Sequence, residues 1–228
     1  MSVKRHPHAT LDAHAVLVIG LGRFGTSVAT TLTEQGWDVL AVDQSVELVQ
    51  KWADVLTHVV QADSTDPDAL RQIGAGDFER AVVAIGSNLE ASILTTANLA
   101  DLGVPSVWAK AMTKQHARIL ERIGAHHVVL PEREMGARIG RLLVGSLTDY
   151  YELESGFGIG RMTAPAKFSG KTLTELHLRA LYGVTVVAVK HRGGATFEDA
   201  RPETVIEKGD HLVITGSTER LQQFSGRA

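Results

Sequence analysis

Gly20, Gly22 and Gly25 stand at the spacing G-x-G-x-x-G, and Asp43 follows eighteen residues after the last of them. Glycines so spaced suit a diphosphate: the first allows a tight turn, the second lets backbone approach the anion, and the third lets a helix pack close on a strand. The amide groups at that helix start then point at the phosphate, helped by the helix dipole. An acid at Asp43 can accept hydrogen bonds from both ribose hydroxyls and repels a 2′-phosphate, which disfavours NADP and leaves NAD, ADP and ATP open. Arg23, with Phe24 beside it inside the fingerprint, puts a permanently charged planar fork within reach of a phosphate or of a neighbouring subunit.

Other residues of the right chemistry fall where further strands should end. Gln44 follows Asp43; Ala62, Asp63 and Ser64 follow the third strand, where adenine would rest; Ile85, Gly86, Ser87 and Asn88 follow the fourth; Lys110 follows the fifth and can neutralise a phosphate. Asp63 suits helix capping equally well. Glu132, preceded by Pro131, opens a long helical stretch, where an acid is favoured by the dipole alone.

The elements that must position these residues alternate. Short β-branched runs at 15–19, 39–42, 58–61, 81–85, 106–109 and 127–130 are separated by amphipathic stretches such as 24–35 and 90–102. The fold class is therefore α/β, a Rossmann-like parallel sheet, over residues 15–151. The stretch 132–150 is expected to be one continuous helix with no strand behind it, crossing to a second domain. The Gly- and acid-rich segment 152–160 marks the boundary, and residues 152–228 are expected to form a smaller α+β domain. It should hold strands near 161–165, 185–190 and 211–215 and helices at 172–181 and 218–224. At that size a single core is marginal, which favours pairing with a second copy. Residues 1–14 are expected to be a flexible lead-in.

Composition excludes several classes. With 23 Lys and Arg against 26 Asp and Glu, the net charge of −3 argues against a nucleic-acid binder. Apolar runs of about five residues fall far short of the roughly 20 that cross a bilayer, and residues 1–14 have no apolar signal-peptide core. A cytoplasmic address is expected. Zero cysteines remove disulfides, thiolate metal sites and cysteine nucleophiles. The fingerprint alone also suits a small NAD-dependent oxidoreductase or an NAD(H)-sensing transcriptional regulator. Against the first, His177, His191 and His211 have no partnering motif; against the second, no basic recognition helix is evident. His6, His8 and the pair His126 and His127 lack a metal-ligand framework.

Beyond the fingerprint, the chain carries ADST (62–65), VVAIGSN (82–88), ASILTTANL (91–99), VWAKA (107–111), LERIGAHHVVLPEREMG (120–136), RALYG (179–183) and GDHLVITG (209–216). On these residues it resembles the RCK, or KTN, regulatory subunits of the Ktr and Trk potassium-uptake systems, most closely the cytosolic Ktr gating subunit, over about residues 15–228. The resemblance implies a non-enzymatic gating subunit that binds ATP or ADP. It implies homodimers assembled as a homo-octameric ring at the inner face of the membrane, under an integral-membrane potassium channel subunit. It gives Arg23 the terminal phosphate of ATP held by the adjacent subunit, and Glu132 a place between two N-terminal domains, where it can help hold Mg2+ or another divalent cation. It also implies cyclic di-AMP in a cleft of the C-terminal dimer, near Leu173, Leu176 and Arg179. The family often has asparagine where this chain has Asp63.

Overall fold

A computed structural model describes residues 14–154 and 156–227. In chain order its elements begin β1 (Ala15–Ile19), α1 (Arg23–Glu34), β2 (Asp38–Asp43), α2 (Val46–Trp52), β3 (His58–Gln61), α3 (Pro67–Gln72), β4 (Arg80–Val83), α4 (Leu89–Asp101), β5 (Ser106–Lys110), α5 (Lys114–Arg122) and β6 (His127–Val129). They continue with α6 (Pro131–Val144), β7 (Leu147–Glu154), β8 (Phe157–Thr163), β9 (Lys171–Thr172), α7 (Leu173–Leu176), α8 (Leu178–Tyr182), β10 (Val184–Lys190), β11 (Glu198–Asp199), β12 (Val205–Ile206), β13 (His211–Ser217) and α9 (Thr218–Arg227). The chain divides after Glu132 into two compact units. Among the described residues, no helix is long and apolar enough to cross a membrane.

The first unit is a six-stranded parallel sheet in the order β3-β2-β1-β4-β5-β6. Strand β1 is buried from end to end, as a central parallel strand covered on both faces must be. One face packs Leu17, Ile19, Val83, Val107 and Leu120 into a core, and the other packs Val16, Val18, Val39 and Ala41. Strand order reverses between β1 and β4, so their carboxyl ends splay into a crevice at the topological switch point. The six strands and their order match the Rossmann expectation.

The second unit corrects three expectations. The expected helix over 132–150 stops at Val144, and the chain returns as β7, antiparallel to β8. Gly145 leaves room for the side chain of Ser225, which a Cβ there would overlap. The segment 152–160 is accordingly no linker but the heart of a hairpin. Gly158 and Gly160 lie on the inward face of β8, and a Cβ on Gly158 would come within 2.9 Å of the Tyr150 ring, one on Gly160 within 2.9 Å of Leu147. Glycines that look like turn formers in sequence are small residues making space for large neighbours, Tyr150 and Leu147. Tyr150 fills that space, and its hydroxyl lies 2.8 Å from that of Thr218. Two ion pairs, Arg138 with Asp149 and Arg141 with Glu152, tie α6 to β7.

The full second sheet is antiparallel, in the order β11-β10-β13-β8-β7, with β9 and β12 paired separately. Its core gathers Tyr150, Met162, Phe168, Leu212, Ile214, Leu221 and Phe224. The expected helix over 172–181 is two short helices, because His177 takes a left-handed conformation at φ +46°.

Candidate functional site

The fingerprint lies in the turn between β1 and α1. Gly20 has φ +99°, which L side chains rarely adopt, and a Cβ there would meet the Ala84 backbone at 3.1 Å. A Cβ on Gly25 would overlap the Gly20 carbonyl oxygen, so this glycine lets α1 press against the turn. Gly22 differs: a Cβ on it would meet nothing within 4 Å. Packing inside the protein therefore does not require glycine at this position, whereas close approach of a ligand to the backbone does.

The helix behind it is equally open. Helices α2, α3, α4 and α5 are capped by the side chains of Ser45, Asp66, Asn88 and Thr113. Gly22, the N-cap of α1, supplies no such bond, and no acid occupies the first turn. Uncapped N–H groups at the positive end of a helix dipole make an anion site.

Asp43 holds that turn in place. Its Oδ2 accepts the Leu21 N–H at 2.7 Å and its Oδ1 accepts the Ser45 N–H at 2.8 Å. Each oxygen retains a further lone pair, so the carboxylate can position the turn and accept from ribose hydroxyls together. Gln44 adjoins it and accepts from the Gln61 side chain through its carbonyl.

Lys110 is 9% exposed, and its Nζ donates to Glu132 Oε1 at 2.8 Å. The ammonium lies 5.7 Å from the centre of the Phe24 ring, and a Cβ on Gly86 would come within 3.2 Å of both Nζ and the Met112 sulfur. Gly86 thus makes room for the lysine. The hydrogen bond from Lys110 holds the Glu132 carboxyl below its ordinary range, with smaller help from the Lys110 and Arg23 charges. Phe24, Gly86, Lys110 and Glu132 gather around one point beside the glycine turn, and the Arg23 charge is felt there.

Other expected site residues have structural duties. Asn88 uses its Oδ1 to accept the Ala91 N–H and start α4. Ser87 is exposed beside it, while Ile85 and Ala62 pack against the sheet core. Asp63 is exposed; its Oδ1 accepts the Thr65 hydroxyl and amide, which lowers its pKa. Ser64 is buried, its hydroxyl 2.7 Å from that of Thr95. In the second unit, Leu176 is a core residue and Leu173 packs against the same core, leaving Arg179 exposed. Among the described residues, no three His, Asp or Glu side chains cluster as metal ligands; His6 and His8 lie outside the described residues.

Three contributors escaped the pattern of strand ends. Met112 sits one residue past Ala111, beside Gly86, and Thr95 and Asn98 reach the β3 loop from the middle of α4. The signal for Thr95 and Asn98 was the run of hydroxyls and amide in ASILTTANL, too polar for an ordinary buried helix face.

A Rossmann-type sheet with an open helix start, joined in one chain to a small antiparallel α+β module, defines a two-part class of fold. Residues 16–131 match the TrkA-N domain family and residues 161–227 the TrkA-C domain family. The chain is 39% identical over 211 residues to the Ktr system potassium uptake protein C of Bacillus subtilis (strain 168), covering 92% of this chain and 95% of that protein. It is 35% identical over 205 residues to the Ktr system potassium uptake protein A of Vibrio alginolyticus, covering 90% and 93%. The solved GsuK channel bound to NAD shares the fold at a TM-score of 0.65 and 19% identity; the match covers 95% of this chain and 39% of that longer one. The chain belongs to the TrkA and Ktr family of potassium-uptake regulators.

Proposed function

We propose that this chain is a cytoplasmic adenine-nucleotide sensor that gates an integral-membrane potassium channel subunit and catalyses no reaction. The observation that carries the nucleotide reading is Gly22: a glycine with open space where its Cβ would be, at the uncapped start of α1. A diphosphate in the crevice takes the α1 amides, and Asp43 takes the ribose hydroxyls.

Sensing requires that the ligand bind two shapes of the assembly unequally. ATP differs from ADP by one phosphate, and Arg23 is the exposed guanidinium nearest in sequence to that group's place. In a homo-octameric ring built from dimers, Arg23 of one protomer takes the terminal phosphate held by the next. A difference of about 1–3 kcal/mol between the two shapes is typical of such coupling. Among the described residues Glu132 belongs to no cluster of three or more His, Asp or Glu, and it is paired with Lys110. A divalent cation there would take its remaining oxygens from phosphates or from a second protomer, and Lys110 would have to release Glu132 first. For cyclic di-AMP, the C-terminal unit offers Arg179 as an outward cation. NAD is the second reading, because a channel of the same fold is solved with NAD bound.

Isothermal titration with ATP, ADP, NAD and NADH, each with and without Mg2+, tests this reading. ATP and ADP should bind at least about tenfold more tightly than NAD, a gap of about 1.4 kcal/mol. Arg23→Ala should weaken ATP more than ADP. Tight NADH binding that ignores Arg23→Ala would replace the proposal with a redox sensor.

A further inference from the structure

Helix α4 buries an unusual face. Ser92, Thr95 and Thr96 are all fully buried, where an amphipathic helix on a sheet normally presents aliphatic side chains. Burying a hydroxyl costs free energy unless it is hydrogen-bonded; the Ser92 hydroxyl has no partner among the described residues, whereas those of Thr95 and Thr96 do. Thr96 bonds back to the Ser92 carbonyl within the helix. Thr95 and Asn98 reach outward.

Both bind the loop that follows β3. The Thr95 hydroxyl lies 2.7 Å from the Ser64 hydroxyl. The Asn98 Nδ2 donates to the Thr65 carbonyl at 3.0 Å and to the Ser64 carbonyl at 3.3 Å, so one amide spans two successive peptide oxygens. On its outer side the same loop is closed by Asp63, whose carboxylate accepts the Thr65 amide and hydroxyl. Asp63 is exposed and Ser64 buried, so the loop presents one residue outward and anchors the next to α4.

The helix also begins at the crevice. Asn88 caps α4 directly after Ile85, Gly86 and Ser87, at the carboxyl end of β4. One rigid element therefore joins the wall beside the glycine turn to the loop at the end of β3.

We propose that Thr95 and Asn98 are positioning residues for base recognition: they fix the Asp63–Thr65 loop so that the crevice distinguishes one purine from another. The inference rests on the nucleotide reading above. Thr95 and Asn98 touch the loop and not the ligand, so their loss acts on selectivity through the loop's conformation.

The test is titration of the full chain with ADP and with GDP, for wild type, Thr95→Val, Thr95→Ser and Asn98→Leu, alongside thermal melting. Wild type should prefer ADP. Thr95→Val, nearly isosteric, and Asn98→Leu should each narrow that preference about tenfold, the ratio that one ordinary net hydrogen bond supports. Thr95→Ser keeps the hydroxyl and should keep the preference. Should Thr95→Val fail to fold, Ser64→Ala removes the same bond from the loop side and should narrow the preference alike. Equal weakening of ADP and GDP in Thr95→Val and Asn98→Leu would overturn the positioning role while leaving nucleotide binding intact. Equal affinity of wild type for both would overturn it also, since there would be no base recognition to position. Failure of wild type to bind either nucleotide would instead overturn the nucleotide reading beneath it.

Discussion

Two aspartates, one in each unit, show how the halves of the molecule differ. Asp210 is 1% exposed and accepts three bonds, from the Glu207 and Arg192 amides at 2.9 Å and from His191 Nδ1 at 2.8 Å. Burial alone would raise its pKa, but the two amides and His191 outweigh that and hold it low. Asp43 accepts only two, and is partly exposed at the mouth of the crevice. The first is fully buried, has most of its acceptor positions taken by its own chain, and serves the fold. The second spends half its capacity on the fold and keeps the rest for a ligand. The same contrast separates Gly158, whose missing Cβ is filled by Tyr150, from Gly22, whose missing Cβ is filled by nothing.

Breaking the buried site should have the largest effect. Asp210→Ala strands two backbone amides and releases His191, and should cost about 3 kcal/mol or more in urea unfolding of the full chain. If the cost is below about 1 kcal/mol, the claim that Asp210 anchors the β10 and β12 turns is wrong. Next comes Gly25→Ala, which forces a methyl into the Gly20 carbonyl oxygen and should cost about 2 kcal/mol by overpacking. A melting temperature unchanged from wild type would show that the turn yields.

Much of the first unit was legible because short apolar, β-branched segments recur between helical stretches, most clearly in β1, which is buried from end to end. The glycine spacing and Asp43 were legible for a related reason: both answer to local geometry within one βαβ unit. The second unit resisted because its decisive contacts are distant in sequence. Gly158 and Gly160 look like a linker until Tyr150 and Leu147 are seen to occupy their faces. Strand β7 was hidden behind α6, since nothing local distinguishes 145–150 from more helix except Gly145, and its partner Ser225 lies 80 residues away. Within the site, position at a strand end singled out Lys110 but could not show that Glu132 holds it. Nor could it show that the Ser64 side chain is committed to Thr95.

A smaller effect concerns the pair that lies between these extremes. Glu132 is more than half exposed, so Lys110 contributes modestly to stability. The Glu132 carboxyl has a lowered pKa in the folded chain, so its contribution is present above about 4.5, the ordinary value, and is lost as pH falls through the folded value. The difference in melting temperature between wild type and Glu132→Gln should therefore be present at pH 7, shrink once pH falls below about 4.5, and vanish below the lowered value of the folded chain. A difference that grows on acidification would mean that the pair has been assigned the wrong sign.

The central claim is that Gly22 is glycine for a ligand and not for the fold, and Gly22→Ala tests it most directly. The variant should melt within about 2 °C of wild type, as befits a change of under about 0.5 kcal/mol, and should bind ATP and ADP at least about tenfold more weakly. Unchanged nucleotide affinity in a folded variant would contradict the account, and would place any nucleotide elsewhere than on the amides of α1.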